Sequence, residues 1–415
     1  MTALPAHPDV IVVGAGTAGL STAQALMERG LEVAVLEAAG HAGGRCVTDT
    51  TLFQTPFDKG GSWLHSAAIN PLARRAEALN VPLHKEDWLN RHAFTRGVTL
   101  SPSDVQDYEV CYDQMWAAIA AAGQTEPDCT AAEAVPQSRW RELALHWVAQ
   151  MQGGDADQVS ARDIASYSDA QGDWLVDGGL GAFVQSLFAG VPVQLNCPVS
   201  RIDRTGPGVT VTTPLGLLRA DHVVVTVSTG VLAAEFLRFD PPLPDAKLGA
   251  IAQLPNGILN KVGIEMDARW QDAHHGHIVD YHAGDDMFCT LLFGFYKSPL
   301  GVGFTAGRCA DALEAEGPGA ATAFCREAMR AIFGSDVTRS INHTAETAWR
   351  GNPLTRGAYS FARPGGAGAR RVLAEPLDGQ VFFAGEATMS DAYATVHGAY
   401  LSGIRAAKEV VRARG

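Results

Sequence analysis

Long apolar runs are missing from this 415-residue chain. No stretch of about 18 apolar residues occurs, so no membrane span is expected. Paired cysteines are missing too. The seven cysteines, at 46, 111, 129, 197, 289, 309 and 325, form no CxxC pair and are odd in number. That excludes a disulfide framework and a cysteine zinc site, and it fits a reducing compartment. Basic runs are absent: 32 Lys and Arg stand against 45 Asp and Glu, a formal net charge of −13. The chain therefore offers no phosphate-tracking surface, and no nucleic-acid partner is expected. The opening MTALPAHPDV has no basic n-region and runs straight into a strand, so neither a signal peptide nor a membrane partner is expected and the location reads as cytoplasmic. An acidic field attracts cations, but it also simply keeps a protein in solution. Oligomeric state leaves no mark in the sequence.

What is present is ordinary core material, 47% hydrophobic, in a length that suits two domains. Residues 9–36 alternate between two periods. Asp9-Val-Ile-Val-Val13 is a short apolar run of the buried parallel-strand kind, Thr17 to Arg29 has a helical stripe, Gly30 marks a helix end, and Glu32-Val-Ala-Val-Leu36 is a second strand. Together they make a βαβ unit. Residues 76–174 read as mostly helical and turn-rich. Val209–Thr212 and His222–Val227 return to strand, as do Lys261–Met266, Phe288–Phe295 and Gln380–Ala384, and Thr395 to Arg414 is a terminal helix. The fold class is α/β: a Rossmann-type domain of discontinuous segments (1–75, 175–245 and 346–415) and an α+β domain with a mixed sheet (76–174 and 246–345).

Gly14-Ala-Gly16-Thr-Ala-Gly19 follows a strand and opens a helix. Gly14 permits the tight turn, Gly16 lets backbone approach a pyrophosphate, and Gly19 lets helix pack on strand. The helix N-terminus adds free N–H groups and a partial positive charge. Glu37 stands at the end of the second strand, about 20 residues on, where a carboxylate bonds ribose hydroxyls. Gly43-Gly44-Arg45 follows; two glycines allow close backbone contact, and Arg45 can reach the same diphosphate. These added contacts point to FAD rather than a nicotinamide. Near the C-terminus, Phe383-Ala-Gly385-Glu386-Ala-Thr388 ends a buried strand beside a polar part of the ligand. The N–H groups near Thr395 and Val396 then face the flavin pyrimidine edge, where a positive helix end stabilises charge on a reduced ring. Gly398 and Gly403 are expected to keep that helix thin enough for the ring. Gly61 and Val199 complete the cofactor contacts.

Taken together, these motifs resemble the flavin-containing amine oxidase superfamily of monoamine oxidases, polyamine oxidases and lysine-specific histone demethylases. The resemblance also covers Gly60-Gly-Ser-Trp-Leu-His65, Asn260-Lys261-Val262, Trp349 with Gly357-Ala-Tyr359-Ser360, and Thr395-Val-His-Gly-Ala-Tyr-Leu-Ser-Gly403, spanning the whole chain in order. The last run is more similar to the polyamine oxidase and demethylase branch than to monoamine oxidases. Ala358 stands where monoamine oxidases attach flavin to cysteine, which implies non-covalent FAD. Their second cage tyrosine falls at Thr395, leaving Tyr359. The length leaves no room for the demethylases' helical insertion and extra domain, so chromatin chemistry is not expected.

The resemblance implies oxidation of a small amine, a polyamine or another primary or secondary amine. A hydride passes to flavin N5, the imine hydrolyses to an aldehyde, and O2 reoxidises the flavin to give H2O2. Three catalytic residues are expected. Lys261, in an otherwise apolar strand, is implied to hold a water near N5. His65 orients the amine or relays a proton. Tyr359 walls the pocket with an aromatic face. Trp349 and Tyr393 are weaker candidates, and His397 is set aside. No metal is expected: His274-His275-Gly-His277 reads as a mobile surface loop without a cysteine or carboxylate at ligand spacing. The alternatives are an L-amino-acid oxidase or desaturase of the same fold, with Arg350 or Arg356 as the carboxylate clamp, and a binding module in which FAD is a structural staple.

Overall fold

A computed structural model describes residue 5, residues 7–85, residue 88 and residues 90–415. The first strand, Val10–Val13, lies at the centre of a five-stranded parallel sheet. Val33–Leu36 and Val193–Gln194 lie on one side of it, and His222–Val225 and Val381–Phe383 on the other. Val12 pairs in register with Val35 and with Val224. Parallel strands are covered on both faces, so their sequences are runs of β-branched residues with no polar alternation. Val10, Val12, Val33 and Val35 enter one core, beneath the helices Thr17–Met27 and Val396–Ala413; Ile11, Val13, Ala34 and Leu36 enter another on the opposite face.

Those two helices touch almost backbone to backbone. A Cβ on Gly403 would lie 2.1 Å from Ser21 Oγ and 2.3 Å from the Ala18 carbonyl oxygen. One on Gly398 would lie 1.8 Å from the Ala392 carbonyl oxygen. These glycines were expected to make room for a flavin ring; in the structure they serve helix and loop packing instead. The hydroxyls of Ser21 and Thr22 seal the contact by donating to the carbonyls of Tyr400 and Gly403.

A second sheet of seven strands runs in the order Ile341–Glu346, Leu259–Met266, Leu300–Ala306, Met287–Phe295, His277–Gly284, Asn90–Thr95, Val98–Thr99. Its pairs are antiparallel except His277–Gly284 with Asn90–Thr95, which is parallel, so the sheet is mixed. One face packs on the helices Pro102–Ala122 and Arg141–Gln152 through Met115, Trp147 and Phe304, and the other on Gly307–Glu316 and Ala320–Phe333 through Val262, Phe293 and Phe324.

The strand Asn90–Thr95 falls in a stretch that reads as helix and turn. Asn-Arg-His-Ala-Phe-Thr shows neither alternation nor an apolar run. Its polar side chains are matched across space: Arg91 with Asp280, and His92 with His277. The histidine run is not a mobile loop either. His274 ends the helix Ala268–His274 and stacks on Trp270 at 4.1 Å between ring centroids, while His277 opens a strand and stacks on His92 at 4.9 Å. Phe333 packs edge-on against His92 and His274, which orders the cluster. Among the described residues no group of three or more His, Cys, Asp or Glu is arranged to hold a metal ion. Among them, too, no helix is long and apolar enough to cross a membrane.

Candidate active site

The central strand turns sharply at Gly14, where φ is +103° and a Cβ would lie 2.6 Å from Thr226 Oγ1. Gly19 sits behind this turn: a Cβ there would be 2.0 Å from the Gly14 carbonyl oxygen. The turn delivers the chain to Gly16, the N-cap of the first helix, which carries no capping side chain. The first N–H groups of that helix are thus left for a ligand. Glu37 folds back toward the turn, accepting from the Ala15 N–H at 2.6 Å and the Ala39 N–H at 2.8 Å.

From here one cavity of about 1420 Å³ runs past Gly44, Arg45 and Val199 to the start of the last helix at Thr395 and Val396. The Thr395 hydroxyl accepts from Gly398 N–H at 2.9 Å and donates to the Ala392 carbonyl at 2.7 Å, which fixes this helix end at the cavity wall. A dinucleotide fits the cradle. A Cβ on Gly16 would meet no protein atom nearer than 4.0 Å, and one on Gly385 would meet none at that range, so both open onto the cavity. Thr355 Oγ1 is buried there without a hydrogen-bond partner.

Arg45 does not reach freely into this space. Its Nη1 donates to the Ala358 carbonyl at 2.7 Å and pairs with Glu386 Oε1 at 3.0 Å. Glu386 in turn accepts from the Ser360 N–H, the Ser360 hydroxyl and the Ala394 N–H. Behind it, buried Arg370 forms a two-pronged pair with Asp163 at 2.7 and 2.8 Å, donates to Ser360 Oγ at 2.9 Å and lies 3.8 Å from the Tyr393 ring centre. The cofactor end is therefore braced by charge that is fully paired, the condition for keeping ions in an interior.

The other end of the cavity carries the expected reactive side chains. Lys261 is 3% exposed. Its Nζ donates to the Asp58 carbonyl at 2.9 Å, the Gly60 carbonyl at 2.5 Å and Ser62 Oγ at 2.5 Å. Three donors meet three oxygens, and the rings of Trp63 and Phe304 stand 5.7 and 5.8 Å away. Burial lowers its pKa to about 8, against the opposing pull of Asp58. The glycines before Ser62 are dictated by packing. A Cβ on Gly60 would lie 1.8 Å from the Arg45 carbonyl oxygen, and one on Gly61 would lie 2.6 Å from Val396 Cγ2.

Tyr359 presents its ring to the cavity and anchors its hydroxyl on the Gln150 carbonyl at 2.7 Å; burial raises its pKa. His65 Nδ1 meets Asp173 Oδ1 at 2.9 Å. Burial pushes the Asp173 carboxyl up, but the bond and charge of His65, the Ser66 N–H and the nearby His397 together outweigh it and hold the group below its usual range. Asp169 and Asp173 are exposed at the mouth, whereas Trp116, Trp147, Ile278 and Leu292 line the interior.

Of the catalytic and cofactor-binding residues expected from sequence, Gly19 alone does not line the cavity. Gly14, Gly16, Glu37, Gly44, Arg45, Gly61, His65, Val199, Lys261, Tyr359, Gly385, Glu386, Thr395 and Val396 all do. Trp349 and Tyr393 line it as well, while His397 does not; burial, then neighbouring His65, takes its pKa down to about 4. Neither Arg350 nor Arg356 lines the cavity. Arg350 is tied to Asp311 and the Asn256 carbonyl, and Arg356 lies over the Phe236 ring. Sequence reasoning missed Asp58, Gln150, Asp173 and Thr355. None sits in a motif; Asp58, Gln150 and Asp173 gain their roles from partners distant in the chain.

A parallel nucleotide-binding sheet that opens into an aromatic cavity with a buried lysine defines a dinucleotide-dependent oxidoreductase. Residues 117–411 match the family described as flavin containing amine oxidoreductase, and residues 12–76 match an NAD(P)-binding Rossmann-like domain. Polyamine oxidase 4 of Oryza sativa subsp. japonica is 30% identical, covering 97% of this chain and 88% of that protein. Lysine-specific histone demethylase 1 homolog 1 of the same organism is 31% identical over 98% of this chain and 52% of that protein. The human lysine-specific histone demethylase 2 is 28% identical over 97% and 53%. This chain thus spans about half the length of the demethylases it matches. In fold it is similar to wild-type putrescine oxidase bound to putrescine, with a TM-score of 0.80, 21% identity, and coverage of 98% of this chain and 99% of that one. The chain belongs to the family of flavin-containing amine oxidoreductases and is, by that membership, an FAD-dependent enzyme.

Proposed function

We propose that this chain oxidises a small primary or secondary amine, with non-covalent FAD as hydride acceptor and O2 as the final oxidant. The observation that carries the reading is the single cavity joining the Gly14–Gly19 turn to Lys261, Tyr359 and an aromatic wall. When bound, FAD supplies the two-electron chemistry and O2 returns it to the oxidised state, yielding H2O2. Ala358, beside Tyr359, has no nucleophilic side chain to hold the cofactor covalently.

The protein's own part is to bind, orient and keep the amine neutral. A free alkylamine has a pKa of roughly 10.4, like lysine. An apolar wall disfavours its cation, so deprotonation accompanies entry. Tyr359, fixed through Gln150, offers a flat face against which the amine nitrogen settles. Asp169 and Asp173 at the mouth draw the cationic form in, and His65, bonded to Asp173, is placed to take a proton there. Lys261, with a pKa of about 8, exchanges its proton near neutral pH, which suits water activation during imine hydrolysis. Polyamine oxidase 4 and putrescine oxidase support an amine of that size. We assign cofactor binding to residues 1–75, 175–245 and 346–415, and substrate binding to 76–174 and 246–345.

An amino-acid oxidase needs an arginine to clamp the substrate carboxylate. Arg45 is the one arginine among the described cavity residues, and it is paired with Glu386. The geometry therefore favours amines. A peroxide-coupled screen over polyamines, monoamines and amino acids tests this: turnover of amines is expected, and turnover confined to amino acids overturns it.

A further inference from the structure

Lys261 is held by an aspartate that does not itself line the cavity. Its Nζ donates to the main-chain carbonyl of Asp58 at 2.9 Å. The Asp58 side chain is 2% exposed and gathers donors from three other segments. The Thr48 hydroxyl at 2.5 Å and the Gly181 N–H at 3.2 Å bond its Oδ1; the Leu180 N–H at 2.9 Å and the Tyr296 hydroxyl at 2.8 Å bond its Oδ2. Four bonds received and none given is the pattern of an ionised carboxylate. A buried charge is kept only with compensation, and these donors supply part of it. The rest falls to a cation. Lys59, next in the chain, pairs with Asp49 at 3.8 Å, whereas Lys261 lies in the interior with Asp58.

We infer that Asp58 is a positioning residue for Lys261, its carbonyl fixing the ammonium and its carboxylate supplying the counter-charge, an assignment whose consequence for turnover rests on the amine-oxidase reading above. The groups that face this pair come from few elements. Cys46, in the loop after the second strand, faces both, and burial, then Asp58, raises its pKa, so the thiol stays neutral. Tyr296, just after the strand Met287–Phe295, has its pKa raised by burial and then by Asp58, so it remains a neutral donor. Behind it stand His84, edge-on to its ring at 5.8 Å, and Asp177, bonded to His84 at 3.0 Å. On its remaining sides Lys261 meets the rings of Trp63 and Phe304, the Gly60 carbonyl and the Ser62 hydroxyl. Among the described residues, Asp58 is thus the full negative charge that Lys261 meets in the interior.

The carboxylate decides how the lysine works. Burial drives an ammonium toward the neutral amine, and the charge of Asp58 pulls the other way, leaving Lys261 at about 8. A group that passes protons works best when its pKa lies near the operating pH. Without the counter-charge the amine would be neutral throughout that range and would have no proton to give. Asp58 has a second duty. The N–H groups of Leu180 and Gly181 open the helix Leu180–Leu187, whose N-cap, Gly179, has no side chain to cap them. A cap alone would leave the titration of Lys261 untouched, so the two roles can be separated.

The test is a set of urea midpoints against pH for wild type and Asp58→Asn, each measured beside the same protein carrying Lys261→Met. The difference within a pair isolates the lysine, whose unfolded pKa is roughly 10.4. In wild type that difference should rise with pH from about 8 upward. In Asp58→Asn the amide oxygen still accepts at the helix start, but the counter-charge is gone. The rise is then expected to begin lower, by on the order of one pH unit. A rise that begins at the same pH in both pairs overturns the inference and leaves the amine-oxidase reading standing. Should Asp58→Asn fail to fold, Tyr296→Phe takes its place. It strips one donor from the carboxylate, strengthens the pull on Lys261, and is expected to start the rise at higher pH than in wild type; an unmoved or lower start overturns the inference. In the FAD-loaded protein, kcat against pH is followed by peroxide release from whichever of putrescine, spermine and benzylamine turns over. That profile is expected to move to lower pH in Asp58→Asn, and one that stays in place overturns the consequence for turnover. A wild type that oxidises none of the three removes the amine-oxidase reading, while the urea midpoints still decide whether Asp58 is the counter-charge of Lys261.

Discussion

Arg45 and Glu386 are separated by 341 positions in the chain, yet their side chains meet in a 3.0 Å ion pair at the cavity wall. The pair ties the loop after the second strand to the turn before the last helix, and through Ser360 and Ala394 it fixes two further segments.

Glu386→Ala leaves the Arg45 guanidinium and two backbone N–H groups without their acceptor. Breaking a largely buried pair by removing one partner costs on the order of 3 kcal/mol. A matching fall in stability is expected in urea titrations, together with faster loss of FAD on dialysis. A fall below about 0.5 kcal/mol, the range of an ordinary surface substitution, contradicts this bracing role.

Lys261→Met removes a cation held by three oxygens. The flavin half-reactions should slow at least tenfold while FAD stays bound, and unchanged kinetics would remove Lys261 from the mechanism. The same variant has a stability signature. The folded pKa is about 8 and the unfolded one roughly 10.4. Between them the unfolded chain holds the proton and the folded one does not, so wild-type stability rises with pH across that window. The penalty is complete below pH 8. Measured against Lys261→Met, wild type should therefore gain between pH 8 and about 10.4. Lys247, also lowered to about 8 by burial, is present in both proteins and cancels.

Gly403→Ala forces a methyl group to within 2.1 Å of Ser21 Oγ and 2.3 Å of a backbone oxygen. The backbone cannot yield cheaply, and overpacking of this kind costs roughly 1–3 kcal/mol. The last helix should move away from the first, lowering Tm and weakening FAD retention together. A stable variant with normal FAD affinity would show that the helices separate freely.

His277 should make the protein acid-sensitive. Burial, with His92 and His274 adding to it, takes its pKa from the ordinary 6.5 down to about 4. Between those values the unfolded chain binds the proton first, so stability is lost as pH falls through the window and the loss is complete below pH 4. His277→Gln should flatten this slope between pH 6.5 and 4, read as urea midpoints against pH.

The sequence is most legible where chemistry is local. The Gly14–Gly19 turn, Glu37 and the Thr395 helix start are each recognisable within a few residues, because one tight turn or one helix end creates the site. Lys261 is visible as a charge inside an apolar strand. Gln150 is not, since a glutamine on a helix announces nothing until Tyr359, 209 residues away, is found bonded to its carbonyl. Asp58, Asp173 and the Arg370–Asp163 pair share that character. The strand Asn90–Thr95 escapes for the same reason: its polar side chains look like a loop until Asp280 and His277 are set opposite. Gly398 and Gly403 show the converse, a correct motif read with the wrong neighbour.

The measurement that bears most directly on the account is the visible spectrum of the purified protein, supplied with FAD and then titrated anaerobically with a small amine. A bound-flavin spectrum that bleaches on addition of amine, and returns with air as peroxide appears, is the predicted result. A protein that takes up no flavin, or a bound flavin left oxidised by every polyamine and monoamine tried, would contradict it.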